Sequence, residues 1–97
     1  MNMRKLMKQA QEMQDKMQRE LAQTEAQGTS GGGMVKVTID GHKQLKDIKL
    51  EKEAVDPDDI EMLEDLIKAA FNDANRQVDE VLRERLGGMA TGMPNLF

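Results

Sequence analysis

From Asn2 to about Gln27 the apolar residues fall at Met3, Leu6, Met7, Ala10, Met13, Met17 and Leu21. Steps of three and four put them on one stripe of a helix, with Gln, Lys, Glu and Arg filling the other face. At ~1.5 Å per residue such a helix is roughly 40 Å long, more than a small sheet can cover, so part of it is expected to project or to pair with another helix. The stripe approaches a heptad, with Met3, Ala10 and Met17 at one position and Leu6 and Met13 at another. It is rich in Met where a zipper seam would carry Leu and Ile, which predicts a loose helical hairpin or dimer contact.

The pattern then changes. Gly28 to Gly33, with Thr29 and Ser30 between them, breaks the helical period and reads as a flexible connector with a short first strand around Ala26 to Ser30. Met34 to Asp40 alternates strictly: Val35, Val37 and Ile39 share one face, and Lys36, Thr38 and Asp40 the other, as in a half-buried strand. Asp40-Gly41 signals a turn, and Gln44 to Glu51 places Ile48 and Leu50 on one face between Asp47, Lys49 and Glu51, predicting an antiparallel hairpin.

A second long helix follows. Asp56 is expected to cap it and Pro57 to take its first position, with Asp58, Asp59 and Glu61 at the positive end of the helix dipole. Its apolar positions are Ile60, Leu63, Ile67, Ala70, Ala74, Val78 and Val81, flanked by Leu66, Phe71 and Leu82, and Gly87-Gly88 is expected to end it near Leu86. These elements predict an α+β domain over residues 1–88 and a flexible tail over residues 89–97, in which Met93, Leu96 and Phe97 could dock on an apolar groove.

Composition changes the picture in one respect. The chain has 97 residues, no Trp, no Tyr, two Phe and nine Met, and 33% of it is charged. That is enough for one domain but a poor supply of core, so apolar faces shared between two copies are expected. The absence of Cys excludes disulfides, thiolate ligands and cysteine nucleophiles. No apolar run approaches the ~18 residues of a membrane span, and Arg4 and Lys5 are not followed by the apolar stretch of a secretion signal.

Candidate chemistry is sparse. His42 has no second His and no Cys to complete a triad or a metal site, and reads as structural. The acidic run Asp56, Asp58, Asp59, Glu61, Glu64, Asp65 lacks the spacing of a calcium loop and coincides with a helix start. The glycine run lacks the Lys and Ser/Thr of a phosphate-binding loop and precedes a strand. The expectation is therefore a protein that is not an enzyme, with no cofactor, no metal and no small-molecule substrate.

The basic residues are more pointed. A net charge of −4 confines any polyanion binding to a local patch. Arg4, Lys5 and Lys8 crowd the start of the first helix, while Arg76, Arg83 and Arg85 lie toward the end of the last. Were the two helices packed antiparallel as a hairpin, those ends would meet in a cationic tip suited to DNA phosphates. The competing reading is that the arginines complement the helix C-terminal dipole and the others solvate a frayed end. The Met stripe, in turn, is either a core or dimer contact or a groove for a partner helix.

Three segments, Leu6 to Met13 (LMKQAQEM, with Met17 behind it), Gly33 to Gly41 (GMVKVTIDG) and Glu61 to Asn75 (EMLEDLIKAAFNDAN), closely resemble the YbaB/EbfC family of bacterial nucleoid-associated proteins. Gly92, Met93 and Pro94 are similar to that family's tail. The resemblance spans nearly the whole chain in order. It implies a helix, a three-stranded antiparallel sheet and a second long helix, in a homodimer with protruding helical arms that binds double-stranded DNA with limited sequence preference, in the cytoplasm at the nucleoid. The family has no catalytic motif and no invariant DNA-contact signature to carry over, so Arg4, Lys5, Lys8, Arg76, Arg83 and Arg85 rest on charge placement alone. The alternative is an adaptor that receives a partner through its Met-rich helical face.

Overall fold

A computed structural model describes residues 2–90. The order is helix α1 (Met3–Gln23), strand β1 (Glu25–Ser30), a 3-10 turn (Gly31–Gly33), strand β2 (Val35–Asp40), strand β3 (Leu45–Leu50), a second 3-10 turn (Lys52–Ala54) and helix α2 (Ile60–Ala90). The sheet is antiparallel in the order β1-β2-β3. The α+β class and the three strands are as expected. The predicted tail of residues 89–97 lies outside the described residues from position 91 onward.

Helix α1 stops four residues earlier than its apolar period suggests. Asn2 caps its start, accepting from the amides of Arg4 and Lys5 at 3.0 and 3.4 Å. At the other end Thr24 turns extended, and its hydroxyl donates to the Glu20 carbonyl at 2.7 Å. Glu25, Ala26 and Gln27 then find partners in Asp40, Ile39 and Thr38, so ladder pairing overrides the helical propensity of the sequence. Gly28 belongs to this strand and is no connector: it is buried beneath α2. The true turn is Gly31–Gly33, whose positive φ values of 59°, 69° and 95° glycine alone adopts without strain.

The start of α2 also differs from the sequence reading. Asp56 does not cap the helix; its carboxylate accepts from the Asp58 amide at 2.9 Å and its carbonyl from the Asp59 amide, closing a turn around Pro57. Asp59 is the cap, accepting from Met62 N–H at 3.1 Å. At the far end, Gly87 and Gly88 do not stop α2, which runs on to Ala90. Glycine costs about 1 kcal/mol against alanine in a helix interior, but two residues are not a barrier to a helix of 31.

The core is small and one-sided. Val35, Val37 and Ile39 point from β2 against Ala70, Ala74 and Val78 of α2, with Ala54 closing one end. Helix α2 lies over β1 and β2 and leaves β3 uncovered. Leu45, Ile48 and Leu50 occupy the same face as Ile39, Val37 and Val35, as their register requires, yet they remain exposed. The molecule measures 68 × 22 × 16 Å. Two helices supply that length: α2, with a rise of ~45 Å over its 31 residues, and α1, which rises ~30 Å from Met3 to Gln23 and has only Met17 and Leu21 half-buried.

Candidate nucleic-acid interface

The root of the arm is built from α1, the β2–β3 turn and α2. Leu21 O accepts from Gly41 N–H at 2.9 Å, and a Cβ on Gly41 would stand 2.5 Å from that oxygen, so the close approach requires glycine. Met17, Leu21 and Leu82 supply apolar contact around Thr24. Beyond the root, the Met stripe is not a core within this chain: Met3, Leu6, Met7 and Met13 are all exposed, Met3 by 68%. A stripe of this kind is unsatisfied as it stands.

Arg4, Lys5 and Lys8 sit together near the free end of the arm, all exposed, and no ion pair involves them among the described residues. Their position opposes the dipole of α1, whose first turn contains no acidic residue. In contrast, the basic residues of α2 are partly engaged. Arg76 Nη2 bonds Asp73 at 3.2 Å, and Arg85 Nη1 donates to Thr24 Oγ1 at 3.3 Å. Arg83 is exposed.

The two groups therefore do not share a tip within one chain. Arg85 meets the C-terminal end of α1, and nineteen residues of helical rise, about 28 Å, separate Lys5 from Thr24. The hairpin geometry expected from the charges is replaced by an arm attached at its root, because β1 runs antiparallel along α2 and delivers Thr24 beside Leu82 and Arg85.

The carboxylates next to these cations serve the fold. Asp40 is only 1% exposed, and it accepts from the amides of Gln44 at 3.0 Å and His42 at 2.9 Å, with Lys46 Nζ at 3.4 Å. The Gln44 amide foremost, then His42 and Lys46, holds its pKa below the ordinary aspartate value against the opposing effect of burial. Asp73 accepts from Thr29 N–H at 3.0 Å, and this bond, helped by Arg76, likewise lowers its pKa. His42 thus contributes a backbone amide to the turn, with its ring exposed.

The basic pair missed from the sequence is Lys36 and Lys49. They stand directly opposite each other on β2 and β3, exposed on the face away from α2. Only the strand register reveals this, since like charges in that position repel. No group of three metal-ligating side chains occurs among the described residues, and none of their helices is long and apolar enough to cross a membrane.

An apolar groove runs beside the arm's body, between β3 and α2, lined by Val37, Leu45, Ile48, Ile67 and Phe71 with Lys68 and Asn72 at its rim. Fold and surface together define a small α+β protein whose features are a projecting helix, a cationic helix start and an uncovered apolar face.

Comparison with known proteins gives this class its family. The model of the YbaB/EbfC DNA-binding family matches residues 1–93. A "Nucleoid-associated protein" of Chloroflexus aurantiacus is 45% identical over an alignment of 100 positions covering all of both chains. "Nucleoid-associated protein GK0018" of Geobacillus kaustophilus is 52% identical over 79 positions, covering 79% of this chain and 73% of its own. The crystal structure of uncharacterized protein HP0035 from Helicobacter pylori superposes with a TM-score of 0.64, covering 87% of this chain and 98% of that one. At 24% identity that likeness concerns the fold alone. The chain belongs to the YbaB/EbfC DNA-binding family, which is not an enzyme family.

Proposed function

We propose that the protein is a homodimeric, nucleoid-associated DNA-binding protein of the cytoplasm that holds double-stranded DNA through phosphate contacts from its helical arms. One observation carries this reading: Arg4, Lys5 and Lys8 lie unpaired at the start of an exposed helix, where basic side chains oppose the helix dipole. Such a placement costs roughly 0.3–1 kcal/mol in the free protein and is recovered when an anion arrives. Family membership supplies DNA as that anion. Arg83 adds a separate exposed positive point on α2, with Arg76 contributing less because Asp73 engages it, while Arg85 is turned to Thr24 at the arm root.

The dimer is supported by two unsatisfied apolar surfaces, the Met stripe of α1 and the groove between β3 and α2. A second copy covering the groove would present two arms to the duplex. Affinity in this arrangement comes mainly from counterion release, so binding weakens steeply with salt.

The test is a titration of duplex DNA at two salt concentrations, comparing the parent with a variant in which Arg4, Lys5, Lys8 and Arg83 are changed to Gln. Each lost phosphate contact should lower the log–log salt slope by about 0.9. An unchanged slope and affinity would remove the arm from the interface. The exposed Met3, Met7 and Met13 favour a second reading, an adaptor receiving an amphipathic partner helix. A partner retained after nuclease treatment and lost on Met7 and Met13 substitution would support it.

A further inference from the structure

The arm is held to the body at one place, by the backbone bond from Gly41 N–H to Leu21 O and by a single pair of polar side chains. Thr24 is 2% exposed, and its hydroxyl spends its proton on the Glu20 carbonyl at 2.7 Å. Its remaining lone pairs are free to accept, and the donor is Arg85 Nη1, 61 positions along the chain. Met17, Glu20, Leu21, Leu82 and Arg85 surround Thr24 in one small crevice. Up-chain of Met17 every residue of α1 is exposed, so among the described residues the direction of the arm is set at this root, by the Thr24–Arg85 pair together with the Gly41–Leu21 backbone bond and the apolar contacts of Met17 and Leu21.

We propose that Arg85 is a positioning residue for DNA binding, setting the direction of the α1 arm through Thr24, and not one of the phosphate contacts. The geometry favours this over a direct contact for two reasons. The guanidinium donates to a buried hydroxyl at the arm root, in a crevice it shares with Glu20 and the apolar side chains of Met17, Leu21 and Leu82. The cationic end of the arm, Arg4 to Lys8, lies more than 20 Å up the helix by its rise. A small change of angle at the root is thereby multiplied into a large displacement of the residues that meet the duplex. The consequence for DNA rests on the DNA-binding reading above; the pivot itself does not.

The experiment uses the absence of native cysteine. Cysteines introduced at Gln9 on the arm and Gln77 on α2, both exposed, carry spin labels. The labelled chain is diluted in excess unlabelled protein so that only distances within one chain are read by pulsed electron resonance. Thr24→Val and Arg85→Gln are each expected to broaden the arm-to-body distance distribution, with Thr24→Ser leaving it narrow and the double variant adding nothing further. On DNA, Thr24→Val should weaken binding about two- to tenfold, the equivalent of one hydrogen bond, with no change in salt slope.

A distribution unmoved by Thr24→Val and Arg85→Gln would overturn the proposal. So would a salt slope lowered by about one in Arg85→Gln with normal affinity in Thr24→Val, because that pattern marks a phosphate contact. Failure of the parent protein to bind DNA would sink the functional reading instead, and the distance measurement would still decide the pivot.

Discussion

Gly28 of β1 lies directly against Ala74 of α2, so closely that a Cβ on the glycine would overlap the Ala74 amide and the Ala70 carbonyl. The helix therefore rests on the strand backbone to backbone, and Ala70 and Ala74 are small for the same reason. Gly28→Ala forces α2 away from the sheet and opens the core that α2 makes with Val35, Val37 and Ile39 of β2. It should destabilise the fold by about 3 kcal/mol or more, at the upper end for overpacking, since backbone atoms cannot yield as a side chain would. Urea denaturation compared with Gly32→Ala provides the check. The Gly32 variant has open space around the new methyl and pays only for its positive φ of 69°, about 1–2 kcal/mol.

Asp40 makes stability depend on acid. Its pKa is lowered in the folded chain, chiefly by the Gln44 amide, so the folded state holds fewer protons than the unfolded one as pH falls. A lowered aspartate contributes stability that is fully present above its unfolded pKa of about 3.9 and is lost as pH drops through the folded value. Asp73, also lowered, acts in the same direction. Thermal unfolding between pH 6 and pH 2.5 should show a steep loss below about pH 4, and Asp40→Asn should flatten it while lowering stability at neutral pH. An acid limb identical to that of the parent would exclude Asp40 as its source.

The elements most legible in the sequence were those whose evidence is periodic. Alternation of Val35, Val37 and Ile39 specified β2, and the three-and-four spacing specified both helices. What failed was local punctuation. Asp56 and Pro57 have the chemistry of a helix start, but three carboxylates compete for it, and the one whose side chain reaches Met62 is Asp59. Gly28 reads both as connector and as part of a first strand over Ala26 to Ser30, and β1 keeps only the strand, because a glycine demanded by close packing is indistinguishable, residue by residue, from one demanded by a turn. The basic residues were legible as charges, but their arrangement was not. That Arg85 would reach Thr24 depends on β1 running antiparallel under α2, a relation between residues 61 positions apart.

The two glycines inside α2 offer a test of the longer helix. Gly87 and Gly88 are helical, so replacing both by Ala should raise helix content and the melting temperature, with a gain of about 1 kcal/mol per site from propensity alone. Circular dichroism and thermal melts read both. Were the helix to end at Leu86, as its glycines suggested, the double substitution would instead lose a favourable terminus and lower the melting temperature.

The groove between β3 and α2 yields the prediction on which the two-armed reading depends. Leu45, Ile48 and Leu50 are 51, 39 and 43% exposed, on the same face as a fully buried row one strand away. Edge strands in monomeric proteins are normally defended by charge on their exposed face, and here the charges, Lys49 and Asp47, point to the other side. An apolar row left open beside Phe71 and Ile67 is therefore better explained by a second copy than by solvent. Ile48→Asp together with Phe71→Asp should shift the protein from dimer to monomer in sedimentation at micromolar concentration. DNA affinity should fall at the same time, because two arms on one body gain from each other's tethering and single arms do not. Ile60→Asp, equally exposed but outside the groove, should leave the mass unchanged. If the groove variant sediments as a dimer, the shared surface lies elsewhere, and the Met stripe of α1 becomes the remaining apolar face able to supply it.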